Sequence, residues 1–472
     1  MTRLAVAAAA AGLLAASATR TSPVNVDVSR APGTQSEVSI AADPRHPDVL
    51  LAGSNDYALP TTRVYSSADG GQRWTSQPGP PLVNGLPGTA SDPVVGIDAR
   101  GRQYFGFIQV TEGSDESHGR SWLVVASRPT RHGFWRSRPV PGADGADKPA
   151  LAVSGNRVYV AWVREGDWLR PRRPLNDVLL SSSTDGGRTW SRPVQLNSID
   201  SLFLSYPSIA VSGGTVYATW LDEGLVKLRS GDSRRFGAEQ TIGAPGGSGC
   251  PTGIPAQPRH CLRPNPVVVA DPVRKRVYAT WSQLARNHSV DIEVIRIGGS
   301  PRQVNPPDGA VVSDQFWPAP AVDARTGDLW VCFYDTRDDP RRRASRFSCT
   351  VSSDGGTTWA QPLPVASAAT DGTKSHYRRP YGDYEGLVVA GGVAHPIWTD
   401  GRGLPSRAAE IYTARLATAQ VQERAGRYVS AEKSGRTNSS NVSRSQLATT
   451  DGVRARIEAV RGMSIVRATS PK

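Results

Sequence analysis

The chain has few of the residues and spacings that accompany metal sites and membrane spans. Beyond an Ala/Leu-rich segment at residues 4–16, no stretch is long and apolar enough to cross a membrane. None of the four cysteines belongs to a CxxC pair, and the seven histidines are scattered rather than grouped at zinc spacing. The acids around Asp338 and Asp339 fit no recognised calcium loop. The sequence therefore predicts neither a metal site nor a cofactor.

The first residues are typical of a secretory signal. A basic start at Arg3 leads into the apolar segment and then into the small residues Ala16-Ser-Ala18, so residues 1–18 are expected to be removed. The mature protein would then be secreted or associated with the cell envelope, where disulfides persist. Two disulfides are expected, with metal binding as the rival interpretation of the same side chains. The pairs are Cys250 with Cys261, around a Gly/Pro-rich loop, and Cys332 with Cys349, nearly symmetrical about Asp339-Pro340.

The formal net charge is +13, and the C-terminal part of the chain supplies much of it. Residues 419–472 are basic, rich in Ser and Arg and poor in large apolar residues, which predicts a flexible tail. A basic protein can bind nucleic acid, an acidic glycan or an envelope polymer. Because the chain has no nucleic-acid motif, an anionic glycan is the favoured partner; a solvated Arg-rich surface with no partner is the alternative.

A short motif occurs three times, each time after a run typical of a β-strand. Its Asp can accept bonds from backbone N–H groups, its glycines permit positive φ, and its Trp can anchor the turn in a sheet. Each copy is therefore predicted to be a tight turn within a hairpin. The positions that define the copies are Ser67, Asp69, Gly71 and Trp74, then Ser183, Asp185, Gly187 and Trp190, then Ser352, Asp354, Gly356 and Trp359.

In these residues the chain resembles the Asp-box proteins, also called the bacterial neuraminidase repeat or sialidase-like superfamily. The resemblance implies an all-β fold, the β-propeller, in which each box joins the third and fourth strands of a blade. It also implies that the boxes lie away from the active site.

A second pattern recurs where the boxes do not: a residue X, Pro, a short apolar run, a turn and then Val-Tyr-x-x-Trp. Seven copies, some of them degenerate, begin at residues 37, 92, 148, 206, 265, 317 and 384. Each predicts two antiparallel strands, and the hairpin that follows completes four. Residues 19–418 are thus predicted to form seven four-stranded propeller blades, with residues 24–29 as the strand that closes the ring. A six-bladed sialidase-type propeller is the alternative, and a β-solenoid is disfavoured because its coils are shorter.

Strand direction in a propeller brings two rings of polar residues to one mouth of the channel, opposite the boxes. The first ring is the X position, and the second lies two residues after the Trp position, at the end of the second strand. Polar residues at a wet strand end need no function, but mixed acids, amines and aromatics at equivalent positions favour a site. The first ring is Glu37, Asp92, Lys148, Tyr206, Asn265, Trp317 and Tyr384; the second is Asn55, Gln109, Arg164, Asp222, Gln283, Asp335 and Asp400.

The resemblance to sialidases implies catalytic roles within these rings. Sialidases bind the substrate carboxylate with three arginines, and use a Tyr nucleophile beside a Glu and an Asp acid/base. Transferred to this chain, Tyr384 is the candidate nucleophile, Glu37 its base and Asp92 the acid. The chain departs from the family in lacking an Arg-Ile-Pro segment. The candidate substrate-binding residues are Arg337, Arg402, Arg379, Asp335, Asp400, Lys148, Tyr206 and Trp317.

Three functions remain open at this point. The first is an exo-α-sialidase-type glycoside hydrolase that removes a terminal acidic sugar. The second is a lyase acting on a uronate polysaccharide, with Tyr384, Lys148 and arginines at the carboxylate. The third is a non-catalytic propeller that binds glycan or protein through the same mouth. A local alternative also stands for Arg337 and Arg402, because Asp335 and Asp400 could simply brace them across their loops.

Overall fold

The computed structural model describes residues 23–83, 88–110, 121–164, 176–198, 201, 203–246, 253–285, 289–308, 312–423 and 427–430. Within them the chain forms seven four-stranded blades in a ring, so the predicted seven-bladed β-propeller is confirmed. Every pairing of neighbouring strands within a blade is antiparallel. The predicted signal segment, residue Cys250 and residues 431–472 lie outside the described part of the chain.

In blades 1 to 6 the strands follow the chain from the channel outward. Strand β1 is Val26–Asp27. Blade 1 has β2 (Gln35–Ala42), β3 (Leu50–Asp56), β4 (Arg63–Ser67) and β5 (Thr75–Pro78). Blade 2 has β6 (Thr89–Ile97), β7 (Gln103–Val110), β8 (Ser121–Arg128) and β9 (Arg136–Asp144). Blade 3 has β10 (Ala146–Ser154), β11 (Arg157–Arg164), β12 (Asp177–Ser183) and β13 (Val194–Gln195).

The later blades repeat the order. Blade 4 has β14 (Leu204–Ser212), β15 (Thr215–Asp222), β16 (Leu225–Gly231) and β17 (Gln240–Gly243), and blade 5 has β18 (Val267–Asp271), β19 (Arg276–Leu284), β20 (Val290–Arg296) and β21 (Arg302–Gln303). Blade 6 has β22 (Gln315–Val322), β23 (Leu329–Asp335), β24 (Ala344–Ser352) and β26 (Leu363–Pro364), with β25 (Thr358–Ala360) and β27 (Thr370–Asp371) beside it. A 3-10 turn, Gly372–Lys374, precedes blade 7, which has β28 (Gly386–Ala390), β29 (Val393–Asp400), β30 (Glu410–Thr413) and, as its fourth strand, β1; the short strand β31 (Leu416–Ala417) also pairs with β29.

The core lies between the blades, where the second strand of each blade contributes large side chains. Trp162, Trp220, Trp281 and Trp398, the Trp positions of the repeated pattern, are fully buried. Burying an aromatic side chain of this size is among the largest single contributions to stability. The pattern that identified the blades in the sequence is therefore also the pattern that packs them.

The three Asp-Gly-Gly turns form the hairpin bends expected from the sequence. In the second, Asp185 Oδ1 accepts bonds from the backbone N–H of Arg188 at 3.0 Å and of Thr189 at 2.9 Å. Ser183 Oγ accepts from Gly187 N at 2.9 Å, and Gly186 and Gly187 both have φ near +80°. The other two turns repeat these bonds. The turns follow β4, β12 and β24, the third strands of their blades.

The ring is closed by the N-terminal strand. Strand β1 pairs antiparallel with β30 and so becomes the outermost strand of blade 7. Val28 N donates to Ile411 O at 2.7 Å, and the buried side chain of Val28 packs between blades 7 and 1. The first strand of the fold thus completes the sheet formed by the last ones.

The packed chain extends beyond the predicted start of the tail. Residues 418–422 form the helix α1 (Thr418–Gln422), and β32 (Arg427–Val429) pairs with β25. Val421 is fully buried, and the Tyr428 hydroxyl donates to Val304 O. These two apolar side chains give this part of the tail a packing surface that its overall composition conceals.

Cys332 and Cys349 form a disulfide between β23 and β24. No helix in the described residues is long and apolar enough to span a membrane.

Candidate functional site

An unusual backbone conformation directs the first ring of residues into the channel mouth. Six of the seven positions have left-handed φ between 45° and 58°, a region that non-glycine residues seldom occupy. In five blades the register of the first two strands shifts beside this residue, as in a β-bulge. The six are Glu37, Asp92, Lys148, Tyr206, Asn265 and Trp317.

Beneath the ring lies the central channel of the propeller, a cavity of about 280 Å³. Its walls are the inner strands, which contribute mostly Val, Ile, Leu, Ala and Pro, whereas its polar residues are concentrated at the mouth. The polar side chains at the mouth are Lys148, Tyr206, Asn265, Tyr384 and Glu385.

A carboxylate that the sequence reasoning missed lies at the centre of the mouth. Asp383 has a side chain only 1% exposed and accepts three bonds from positively charged or protonatable groups. Lys148 Nζ lies 2.8 Å from Oδ2, Arg379 Nη1 lies 3.0 Å from the same oxygen, and His260 Nε2 lies 2.8 Å from Oδ1. Asn265 Nδ2 also donates to the Asp383 carbonyl at 3.2 Å. Asp383 therefore joins residues from blades 3 and 5 to the loop that precedes blade 7.

Lys148 connects this centre to two further ring positions. Its Nζ lies 3.2 Å from Asp92 Oδ2, so the ammonium is shared between two carboxylates. It also lies 5.7 Å from the centroid of the Tyr206 ring, within the range of a cation–π contact. The Tyr206 ring in turn lies 6.3 Å from that of Trp317. Four of the predicted site residues are thus in one cluster.

At the junction of blades 7 and 1, two buried polar atoms have no hydrogen-bond partner in the described structure. One is Glu37 Oε1, which lies 3.7 Å from Arg379 Nη1, whereas Oε2 accepts from Asn55 Nδ2 at 2.8 Å. The other is the Tyr384 hydroxyl. Asn55 is a member of the second ring, and its Oδ1 accepts from Asp92 N at 2.8 Å. Buried polar groups are normally paired, so these two atoms are candidate contacts for a ligand.

The pKa values of the Glu37 and Asp383 carboxyls are shifted in opposite directions. Burial raises the pKa of Glu37 well above its usual value, and the Asp92 and Asp383 carboxylates add to this, while Lys148 and Arg379 oppose it. Burial also disfavours the charged form of Asp383, yet Lys148, the His260 bond and Arg379 together hold its pKa well below the usual value. Two neighbouring carboxyls with opposite shifts are the arrangement from which acid/base pairs are built.

The Tyr384 phenol is not acidified in this environment. Burial raises its pKa well above the usual value, and the Asp92 and Glu37 carboxylates raise it further. Burial likewise lowers the pKa of His260, although the bond to Asp383 acts in the opposite direction. At neutral pH the Tyr384 phenol is therefore in its neutral form.

The rim of the mouth presents two aromatic rings and a guanidinium to solvent. Tyr57 and Tyr377 are 49% and 41% exposed, and their ring centroids lie 5.1 Å apart. Arg379, on the same loop as Tyr377, has a side chain 45% exposed. Tyrosine has an apolar ring and a polar hydroxyl and is enriched at binding interfaces, so these two rings are candidate contacts for a ligand.

Arg337 and Arg402 do not join the central cluster. Arg337 Nε donates to Asp335, which also accepts from Gln315 Nε2 at 2.9 Å. Arg402 Nη2 donates to Asp400 Oδ2 at 2.7 Å, and its guanidinium lies 4.0 Å from the centroid of the Tyr412 ring. The local alternative raised from the sequence, an Asp bracing an Arg within its own loop, describes both pairs.

The residues that sequence reasoning missed come from two loops outside the repeat. His260 lies in the loop between β17 and β18, while Tyr377 and Asp383 lie between β27 and β28. The run at residues 377–385 is dense in polar and aromatic residues, which was the available signal, but nothing in it distinguished Asp383 from its neighbours.

The known proteins to which this chain is similar are solved structures. No protein-family model matches it, and no curated protein matches it. A solved protein of unknown function from Dyadobacter fermentans is 11% identical, with a TM-score of 0.50, over 84% of this chain and 98% of that one. The Hadza microbial sialidase Hz136 is 12% identical, with a TM-score of 0.45, over 82% of this chain and 66% of that one.

The α-L-arabinofuranosidase arb93a of Fusarium graminearum, solved with an iminosugar inhibitor, is 12% identical. Its TM-score is 0.46, over 86% of this chain and 99% of that one. Identities of this size bear on the fold alone. The solved structures similar to this propeller thus include two types of glycoside hydrolase, sialidases and α-L-arabinofuranosidases.

Proposed function

We propose that this protein is a secreted glycoside hydrolase of the exo-α-sialidase type, which removes a terminal acidic sugar from a glycan. The observation that carries the proposal is the junction of blades 7 and 1. There the half-exposed guanidinium of Arg379 lies 3.7 Å from Glu37 Oε1, and Glu37 Oε1 and the Tyr384 hydroxyl are both buried without a hydrogen-bond partner in the described structure. A cation and two open hydrogen-bonding positions suit a sugar that carries both a carboxylate and hydroxyl groups.

Arg379 is the residue proposed to bind the substrate carboxylate. Both of its acidic partners, Glu37 and Asp383, approach the same nitrogen, Nη1. Since the side chain is 45% exposed, its other N–H donors can face a ligand. A guanidinium pairs with a carboxylate in a planar, bidentate geometry that an ammonium cannot match.

Tyr384 is proposed as the nucleophile, with Glu37 as its base. A neutral phenol is not repelled by the carboxylate of an acidic sugar, unlike an Asp or Glu nucleophile. Because the pKa of the Tyr384 phenol is raised, its proton must leave as the bond to the sugar forms. A carboxyl with a raised pKa, such as Glu37, is the stronger base for that transfer. Asp92 is assigned the acid/base role at the leaving group.

The proposal is tested by release of sugar from a fluorogenic sialoside. We expect turnover by the wild type, and a loss in kcat of about 10²-fold or more for Tyr384→Phe, in the range for removing a nucleophile's hydroxyl. Tyr412→Phe, a change of the same kind away from the mouth, should leave the rate unaltered. Because Glu37 must be ionised to act as a base, kcat/KM should rise with pH through an apparent pKa above the ordinary Glu value. Equal rates for Tyr384→Phe and the wild type would refute the assignment.

A non-catalytic glycan-binding propeller is the second candidate, and one observation favours it. The side chains of Glu37 and Asp383 are each only 1% exposed, so a substrate would reach them only after rearrangement of Arg379. Calorimetric binding of a sialoside without turnover would support this candidate. The lyase is less well supported because Lys148, which would have to neutralise a uronate, is already shared between Asp92 and Asp383. Ultraviolet-absorbing unsaturated products from a uronate polymer would favour the lyase.

A further inference from the structure

Glu385, the residue after Tyr384, and the Thr399 carbonyl both contact the buried hydroxyl of Tyr334. Tyr334 Oη lies 2.6 Å from Glu385 Oε1 and 2.7 Å from the carbonyl oxygen of Thr399. Thr399 N donates to the other carboxyl oxygen, Glu385 Oε2, at 3.0 Å. Tyr334 and Thr399 are almost completely buried. Glu385 is not a member of either polar ring and has no role in the proposed reaction.

The two short contacts of the Tyr334 hydroxyl need two protons. Both contacts of the hydroxyl are as short as ordinary O–H···O hydrogen bonds, which keep their proton near the line between the oxygens. A tyrosine hydroxyl carries one proton, a peptide carbonyl carries none, and an ionised carboxylate only accepts. One proton cannot lie near both lines, so one of the two contacts would be an unscreened approach of two acceptors. A second proton is needed, and only the carboxyl can supply it.

We propose that Glu385 is protonated in the folded protein at neutral pH and acts as a positioning residue for Tyr384. Its Oε1–H donates to Tyr334 Oη, the Tyr334 hydroxyl donates to Thr399 O, and Thr399 N–H donates to Glu385 Oε2. Every donor and acceptor in this circuit is used once, which is the condition under which a buried polar network stabilises a fold. Burial, the dominant effect, raises the pKa of Glu385 well above its usual value, in agreement with the neutral form.

The hydrogen bonds of Glu385 fix the position of the preceding residue, Tyr384. It ties the residue before β28 to β23 of blade 6 through Tyr334 and to β29 through Thr399. Tyr384 is the one member of the first ring without the left-handed backbone that directs the other six. Its position at the mouth is therefore set by the hydrogen bonds of the next residue. The inference goes beyond the proposed function and stands whether or not the protein is an enzyme.

Further ionisable groups face this circuit from the neighbouring elements. Glu37 on β2 raises the pKa of Glu385, while Asp400 on β29 and Tyr381 in the loop before β28 raise that of Tyr334. When they are negatively charged, all three groups disfavour a negative charge on Glu385 or Tyr334. When the pKa of a carboxyl is higher in the folded protein than in the unfolded chain, the protein is less stable as pH rises through the folded pKa. The reason is that the unfolded chain ionises at a lower pH than the folded protein does.

Infrared spectroscopy of the full chain at pH 7 tests the protonation directly. We expect a neutral carboxylic acid band in the wild type that is lost in the difference spectrum between the wild type and Glu385→Gln, and that is retained in Glu423→Gln, the matched change at an exposed position. The difference spectrum separates this band from that of Glu37, whose pKa is also raised. The Gln amide can donate to Tyr334 and accept from Thr399, so this variant should fold. As pH rises, its unfolding midpoint should also fall less than that of the wild type. An unchanged neutral-acid region in Glu385→Gln would show that Glu385 is ionised and overturn the proposal.

A second variant keeps the test open if Glu385→Gln does not fold. Tyr334→Phe removes the acceptor of the Glu385 proton while leaving the carboxyl in place. The proposal then requires the neutral-acid band to shift to higher frequency, as for a carboxyl that has lost its hydrogen-bond acceptor. A spectrum of Tyr334→Phe identical to that of the wild type in this region would contradict it.

Discussion

At the scale of single residues, the mouth depends most on Asp383. This carboxylate is buried and accepts from Lys148, Arg379 and His260, which come from three different parts of the ring. Without it, the Lys148 ammonium would retain only Asp92 as a close partner. A buried charge that loses one partner is far more costly than the pair itself is stabilising.

We therefore predict that Asp383→Asn lowers the free energy of unfolding by about 3–5 kcal/mol at pH 7. Urea denaturation followed by tryptophan fluorescence measures the loss. Asp338→Asn is the control, because the Asp338 side chain is exposed and its ion pair with Arg346 is long, at 3.9 Å between Oδ2 and Nε. That control should stay within about 0.5 kcal/mol of the wild type.

The same variant gives a pH test with a definite sign. A carboxyl whose folded pKa is depressed stabilises the protein above its unfolded pKa, and this stabilisation is lost as pH falls toward the folded pKa. The difference between the wild type and Asp383→Asn should therefore shrink below about pH 4, where unfolded Asp becomes protonated. A difference that stays constant down to pH 3 would mean that the charge of Asp383 is not what stabilises the mouth.

Single residues also show the limit of what the sequence could predict. Glu37, Asp92, Lys148, Tyr206 and Trp317 were found from the sequence because the repeat gives each an equivalent place in its blade. Asp383 and His260 could not be found in that way, since both lie in loops between strands, outside the positions of the repeated pattern. Their 2.8 Å contact joins residues 123 positions apart, and such a contact has no local pattern to reveal it.

At the scale of elements, the Asp-Gly-Gly turns are self-contained units. Each Asp accepts from two successive backbone N–H groups, and each Ser hydroxyl accepts from the second Gly N–H. All these bonds lie within seven residues of sequence, from Ser183 to Thr189 in the second turn. This locality explains why the turns could be predicted from three short motifs, whereas the loops of the mouth could not.

We predict that Asp185→Ala destabilises the protein by about 1–2 kcal/mol, the range for a few partly exposed hydrogen bonds to a charged acceptor. Asp185→Asn retains an oxygen acceptor at the same place and should cost less than half as much. Thermal unfolding compares the two. If both substitutions lower the unfolding temperature equally, the negative charge matters and the hydrogen-bond geometry does not. Neither should change ligand binding at the mouth, because the turn lies at the other end of the strands.

At the scale of the whole molecule, the ring is held closed by a few residues at its N-terminal end. Asn25 Nδ2 donates to Val365 O at 2.8 Å, and its Oδ1 accepts from Ser367 N at 2.7 Å and from Arg402 Nη2 at 2.8 Å. Ser29 Oγ accepts from Ile411 N at 2.9 Å. The closing strand was predicted because the seventh repeat offers only three strands before the polar tail, so that residues 24–29 could supply the fourth. Asn25 was not, since its partners are more than 300 residues away.

We predict that removal of residues 23–29 lowers the free energy of unfolding by roughly 5 kcal/mol, at about 1 kcal/mol for each of the five hydrogen bonds described for Asn25, Val28 and Ser29. The reference is the chain that begins at Pro23, which keeps the whole closing strand. Urea unfolding of both proteins, followed by tryptophan fluorescence, gives the difference. Identical midpoints would mean that blades 7 and 1 hold together by side-chain packing alone.

The left-handed residues at the mouth have one more consequence, which concerns how such a protein can change over time. Backbone geometry, and not the side chain, directs six ring positions toward the channel, and acid, amine, amide, phenol and indole groups all occupy it here. A substitution at one of these positions exchanges one functional group for another without moving the strand that carries it. The mouth can therefore acquire a new specificity one residue at a time while the buried tryptophans between the blades preserve the scaffold.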